Sequence, residues 1–282
     1  MTAHATAVNP NRPFSLAPWA MLASVWRNRA LITQLTRREV ISRYRGSILG
    51  LAWSFFNPLL MLAVYTFVFS VVFKARWAGE GANQADFAVF LFVGILIHGI
   101  FAECANRAPS LILSNASYVK KVVFPLEVLP CVAMGSALFH AGVSLLVLLC
   151  AMLWLEGAVP VTAWLFPVVV APLVVMTLGA AWLLAAFGVF VRDIGQMIGV
   201  VVTVMLFLSP VFYPIKAMPE NYRFWIYINP LTFIIEQSRK VLILSEWPDW
   251  GGLLVYAAGS LVFAWFGFAC FQKMRRGFAD VL

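Results

Sequence analysis

Long apolar runs separated by short polar clusters fill most of this chain, and the lengths of those runs predict its elements. Spans long enough for a membrane are read at 49–73, 87–103, 128–155, 164–191, 194–213 and 250–271, since a crossing helix needs about 20 apolar residues. The second is short and carries His98, which places its end, Glu103, at or within the membrane interface. Between the last two runs lies the segment 214–240, in which an apolar patch from Phe224 to Ile235 is interrupted by Asn229 and Pro230. At 1.5 Å rise per residue the patch covers about half of a roughly 30 Å bilayer core. The pattern therefore predicts a helical hairpin that dips in and returns. Irregular backbone at membrane depth survives only where protein or a water-filled cavity satisfies its amides, so such a hairpin implies a lined pathway. The fold class expected is all-α integral membrane, with six spans and one re-entrant hairpin.

Ahead of the first span, residues 1–48 form an N-terminal segment. Its first 30 positions contain Pro10, Pro13 and Pro18, and read as loosely ordered until Trp19 and Trp26 meet the interface. From Leu31 to Ser47 two apolar faces appear in turn, Leu31, Ile32 and Leu35 and then Val40, Ile41 and Tyr44. Two half-helices along the headgroups fit that pattern better than one straight stripe. A polar-flanked connector, 106–127, joins the second and third spans. Arg192 and Asp193, between the fourth and fifth, read as a structural interfacial pair.

Orientation follows from lysine and arginine, which cytosolic flanks retain. With both termini inside, 14 of these residues fall on the inner side (Arg12, Arg27, Arg29, Arg37, Arg38, Arg43, Arg45, Arg107, Lys120, Lys121, Arg192, Lys273, Arg275 and Arg276), and 6 on the outer side. A crossing at 224–235 would move the last three outside. The first apolar stretch contains Pro18 and precedes most of its local arginines, unlike a cleavable signal peptide, so the first span is expected to act as the insertion signal.

Composition agrees with the pattern. Apolar residues make up 62% and charged residues 11%, against roughly 45–50% and 25% in soluble domains. The net charge of +8 is accounted for by topology; no basic run is interleaved with aromatics, and no nucleic-acid partner is expected. Four cysteines without a C-x-x-C pair argue against a disulfide framework or zinc site. Catalytic chemistry is sparse. His98 and His140 sit on different spans without carboxylates at helical spacing, and read either as functional groups or as histidines bonded to a neighbouring helix. Glu103 and Glu127 bracket the connector, within reach of Arg107 or Lys120. No phosphate-binding G-x-x-x-x-G-K-[ST] loop is present, so an ATP-driven step requires a partner. An intramembrane transferase acting on a polyprenyl-phosphate substrate is the rival class, and it would need clustered carboxylates or histidines at one membrane face.

Several aromatic and basic residues carry two readings each. Tyr65, Phe69 and Phe73 recur at i, i+4 and i+8, and suit either stacking on sugar faces or ordinary helix packing. Tyr213, Phe224, Trp225 and Tyr227 surround the broken backbone of the hairpin and are candidates for lining a path or gate. Arg37, Arg38, Arg43 and Arg45 are suited to holding a lipid diphosphate, because guanidinium forks match phosphate oxygens, and equally to anchoring on anionic lipid.

Three blocks carry a family resemblance: RREVISRYRGSILGLAWSFFNPLLMLAVYTFVFSVVF (Arg37 to Phe73), SNASYVKKVVFPLEVLP (Ser114 to Pro130), and VRDIGQMIGVVVTVMLFLSPVFYPIKAMP followed by YINPLTFIIEQSRKVL. They resemble the permease subunit of polysaccharide ABC exporters of the kind that moves lipid-linked O-antigen, with teichoic-acid and capsule permeases as relatives. The resemblance covers nearly the whole chain after about residue 25. It implies a homodimer in the bacterial inner membrane with two cytosolic ABC ATPase subunits, membrane lipid around it and an undecaprenyl-diphosphate-linked polysaccharide as cargo. It also implies no catalytic residues, metal or cofactor in this chain, with ATP and Mg held by the partner ATPase. The segment 31–47 would be an interface helix and 214–240 an outer gate. The connector would couple to the ATPase through Ser114, Asn115, Tyr118, Lys120 and Lys121.

Overall fold

The computed structural model describes residues 17–72, 84–121 and 124–282, and all regular structure among them is helical. Phe73 lies outside the described residues, as do the side chains of Lys120 and Lys121. Twelve α-helices are described: α1 (Pro18–Arg27), α2 (Arg29–Tyr44), α3 (Trp53–Tyr65), α4 (Gln84–Arg107), α5 (Ala116–Lys121), α6 (Val128–Glu156), α7 (Phe166–Phe190), α8 (Ile194–Phe207), α9 (Glu220–Ile228), α10 (Pro230–Leu242), α11 (Trp250–Met274) and α12 (Phe278–Val281). Among the described residues, five stretches are long and apolar enough to cross a membrane: Gly50–Phe69, Phe87–Ser110, Val128–Trp154, Val161–Phe190 and Trp250–Val281.

The core forms around α4, which is the most buried of these five, and α7. α7 packs along α11, and α4 along α6 and α7. Close approach depends on missing side chains: a Cβ on Gly267 would come within 2.2 Å of the Gly179 carbonyl. By contrast α3 is mostly uncovered, with Phe55, Phe56, Leu59 and Leu60 exposed, and α8 presents Met197, Val200, Val204 and Phe207. Apolar faces of this extent belong against lipid or another chain.

Several expectations are corrected. Of the first 30 positions, read as loosely ordered until Trp19 and Trp26, residues 1–16 lie outside the described residues, and α1 occupies Pro18–Arg27, with Pro18 at the first helical position, where its missing N–H costs nothing. The half-helices expected over 31–47 are a single helix, α2, and the break falls earlier, at Asn28. Val40 is buried while Ile41 is exposed, so the second apolar face is itself divided between protein and surroundings. The second span does not end at Glu103; α4 runs on to Arg107, which leaves Glu103 on a helix instead of in a loop.

The run 194–213 does not form one helix. α8 has 14 residues, about 21 Å at 1.5 Å per residue, and then turns. The Ser209 hydroxyl bonds back to the Met205 carbonyl, and Pro210 supplies no N–H to continue the ladder. Directly after α3, Thr66–Val72 is π-helical. Arg192 and Asp193 are both exposed in the turn before α8, and among the described residues they form no ion pair with each other.

Candidate functional site

The hairpin segment is a helix, a break and a second helix. Asn229 leaves the helical region (ψ 118°), since a residue before proline is pushed towards extended backbone. Its side-chain oxygen then caps α10 by accepting from the Leu231 N–H at 3.0 Å, and its amide nitrogen donates to the Met205 carbonyl at 3.0 Å and to Ser209 at 3.3 Å. Thr232 donates to the Ile226 carbonyl at 2.6 Å. Arg239, only 2% exposed, donates from Nε and Nη2 to the Phe90 carbonyl on α4 at 3.1 and 3.0 Å, from Nη2 to the Val211 carbonyl at 3.2 Å, and pairs with Glu236 at 2.9 Å. Gly94 gives that guanidinium room: a Cβ there would meet Nη2 at 3.2 Å. Orphaned polar backbone is thus answered by side chains from the hairpin itself.

The path candidates fall into two groups. Tyr65 and Phe69 pack on the start of α4, where Phe69 stacks with Phe87 at 5.3 Å and Phe212 at 6.3 Å. Tyr213 is half-buried beside them in sequence and donates to the Phe207 carbonyl at 2.8 Å. Phe224, Trp225 and Tyr227 stay exposed along α9, with Phe224 and Trp225 in an edge contact at 6.0 Å.

The arginines of α2 are treated unequally. Arg37 and Arg45 are exposed. Arg43 bonds Glu103 at 2.5 Å, and Glu103 also faces His140 Nδ1 at 2.9 Å, whose Nε2 lies 3.0 Å from the Tyr44 hydroxyl. Burial pushes the Tyr44 phenol above its ordinary range, with Arg43 pulling the other way. Arg107 pairs with Glu39 and comes to 3.9 Å of Glu103. His140, without a carboxylate at helical spacing, meets Glu103 and Tyr44 on other helices, in line with its reading as a histidine bonded to a neighbouring helix. His98 meets the carbonyl of Val202 at 3.1 Å, the contact to a neighbouring helix that its bland reading foresaw.

Arg38 lines a cavity of about 430 Å³ between α2, the end of α4 and the connector. Its walls include Glu39, Arg107, Ser114, Asn115 and Tyr118. A basic residue assigned to phosphate and three residues assigned to coupling therefore share one space. The connector is built for this position. Two short 3-10 turns, Ala108–Ser110 and Leu113–Asn115, lead into α5, and Asn115 donates to the Leu111 carbonyl at 2.9 Å. A Cβ on Gly188 would come within 2.2 Å of the Pro109 carbonyl, so α7 admits the connector only at a glycine.

The sequence profile of ABC-2 type transporters matches residues 30–243, which takes in α2, the cavity and the hairpin. The chain belongs to the ABC-2 type transporter family. It is 31% identical over 266 residues to an O-antigen export system permease protein of Myxococcus xanthus, covering 92% of this chain and 98% of that one. An O-antigen export system permease protein of Klebsiella pneumoniae is 26% identical over 256 residues, 89% and 95% of the two chains. The polysialic acid transport protein of Escherichia coli is 22% identical over 247 residues, 86% and 93%. In this ABC-2 chain, a multi-pass membrane protein, sequence reasoning passed over Glu39 and the pairing of Glu127 with Arg275. Glu39 stands within the basic run, next to Arg38, and carried a signal; no spacing joins Glu127 to Arg275.

Proposed function

We propose that this chain is the permease subunit of an ATP-driven exporter that moves an undecaprenyl-diphosphate-linked, O-antigen-type polysaccharide across the bacterial inner membrane. Two copies form the passage, and two cytosolic ABC ATPase subunits, which hold ATP and Mg, drive it. The chain itself catalyses nothing and binds no cofactor. In this reading α8 and the turn after it complete a sixth span, both termini are cytosolic, α2 is the interface helix, 106–127 is the coupling loop, and 214–240 re-enters from the outer face as a gate.

One observation carries the reading beyond family membership: Arg38 and the connector residues Ser114, Asn115 and Tyr118 surround the same cavity. An arginine suited to phosphate oxygens and a segment suited to a partner's surface can then sense one another directly. The excess of lysine and arginine on one set of flanks supports the orientation, and the exposed faces of α3 and α8 supply surface for lipid and a second copy.

The test is the permease–ATPase complex in proteoliposomes. Lipid-linked glycan should stimulate ATP hydrolysis, and reversing the charges of Arg38, Arg43 and Arg45 should lower that stimulation; unchanged stimulation would leave those arginines as topology signals. Replacing 118–121 with a Gly/Ser stretch should leave insertion intact and abolish export. A capsule-type cargo is the second reading, favoured by the 25% identity over 264 residues to the capsule polysaccharide export inner-membrane protein of Neisseria meningitidis serogroup B, 92% of this chain and 95% of that one. Loading the complex with defined lipid-linked glycans separates the two.

A further inference from the structure

Glu127 and Arg275 lie 148 positions apart and meet in the interior. Arg275 Nη1 donates to Glu127 Oε2 at 2.7 Å, and Nη2 donates to the Phe124 carbonyl at 2.8 Å. The other carboxylate oxygen of Glu127 accepts from the Ser24 hydroxyl at 2.9 Å, and the Glu127 carbonyl accepts from Trp182 Nε1 at 3.0 Å. The Glu127 carboxylate and main-chain carbonyl together with the Arg275 guanidinium therefore tie together α1, the last residues of the connector, α7 and the end of α11. The side chains are 8% and 15% exposed.

The connector side of this clamp continues towards α5. Phe124 stacks nearly flat on Tyr118, with centroids 4.5 Å apart and planes at 14°. Beyond Arg275 the chain turns into α12, which packs on α5, and Phe278 is fully buried against Phe190 and Phe271. α5 thus meets the residues after α11 twice, directly at α12 and through Tyr118 and Phe124 at Arg275.

A buried ion pair is an inefficient way to hold helices together, because apolar residues of similar volume do so without desolvating two charges. It does fix direction: a guanidinium presents donors at set angles to two acceptors at once, here a carboxylate and a backbone carbonyl. We infer that Arg275 is a positioning residue for energy coupling. It fixes Phe124 and Glu127 at the end of α11, where Glu127 also meets α1 and α7, so that a push delivered on α5 by the ATPase moves the membrane helices and is not absorbed by the connector. The inference rests on the assignment of 106–127 as the ATPase-contacting loop.

The experiment uses the reconstituted permease–ATPase complex and measures ATP hydrolysed per lipid-linked glycan exported, with co-purification of the ATPase as the check on assembly. Arg275→Ala should keep ATP turnover near the wild-type rate while export falls about tenfold, within the range of a coupling free energy between two sites. Arg275→Lys, whose single ammonium lacks the fork, should lie between. Glu127→Gln, which keeps one acceptor oxygen for Arg275 and turns an amide donor towards the Ser24 hydroxyl, should raise the ratio about fivefold, at the weak end of the same range. If Arg275→Ala does not assemble, Arg275→Lys carries the test. Wild-type ATP consumption per glycan in Arg275→Ala or, failing that, in Arg275→Lys overturns the proposal while the transport reading stands. A wild-type complex in which glycan neither stimulates hydrolysis nor crosses overturns both.

Discussion

At the hairpin, polar contacts reach back a short way along the chain, Asn229 over 24 residues to Met205 and over 20 to Ser209. Around α2 they join distant elements: Arg43 crosses 60 residues to Glu103, Tyr44 crosses 96 to His140, and Ser24 crosses 103 to Glu127. The hairpin folds its own break; the α2 end is wired from the whole bundle. The division separates a region whose side chains answer its own backbone break from one whose contacts tie several elements together. Arg239 is the exception, since it reaches from the hairpin to Phe90 on α4.

Substitutions at the two regions should separate stability from coupling. The largest loss is expected for Arg239→Ala, which leaves the Phe90 and Val211 carbonyls without their charged donor and removes a buried guanidinium, about 3 kcal/mol. The midpoint of thermal unfolding in detergent should fall accordingly, and Arg239→Lys should recover part of it. Next comes Gly188→Ala, whose new methyl must displace the Pro109 carbonyl from 2.2 Å, at about 2 kcal/mol of overpacking. The same unfolding scan measures it. Asn229→Ala removes a helix cap and should cost about 1 kcal/mol. The smallest effect on stability belongs to Glu103→Gln, below about 1 kcal/mol because its partner Arg43 is half exposed and screened by water and salt. That variant should nonetheless shift the glycan concentration that half-stimulates the ATPase. A hairpin variant that changes stimulation without changing stability, or an α2-end variant that does the reverse, would break the division.

Much of this was legible in the residues. Proline and asparagine in an apolar patch marked the break at Asn229, because their effect on backbone is local. Run length marked the long helices for the same reason. The segment 194–213 was misjudged because hydropathy counts Ser209 and Pro210 as two ordinary positions, whereas they end α8 together. Tyr65 and Phe69 were placed on one face, and both do pack on the start of α4. Their packing partner Phe212 comes from a turn that no periodicity announces. The clamp of Glu127 and Arg275 was hidden altogether: local reading offered Glu127 the nearby Arg107 or Lys120, while the packing of α11 on α7 delivers Arg275 instead.

The account stands on the segment 214–240 entering and leaving the membrane from one side. With Cys104, Cys131, Cys150 and Cys270 replaced by alanine, single cysteines at Tyr222 and at Leu244, both exposed, can be tested in intact cells with a membrane-impermeant maleimide. Labelling of both from outside is the predicted result. Labelling of one from outside and of the other only after permeabilisation would mean that the segment crosses, and would contradict the account.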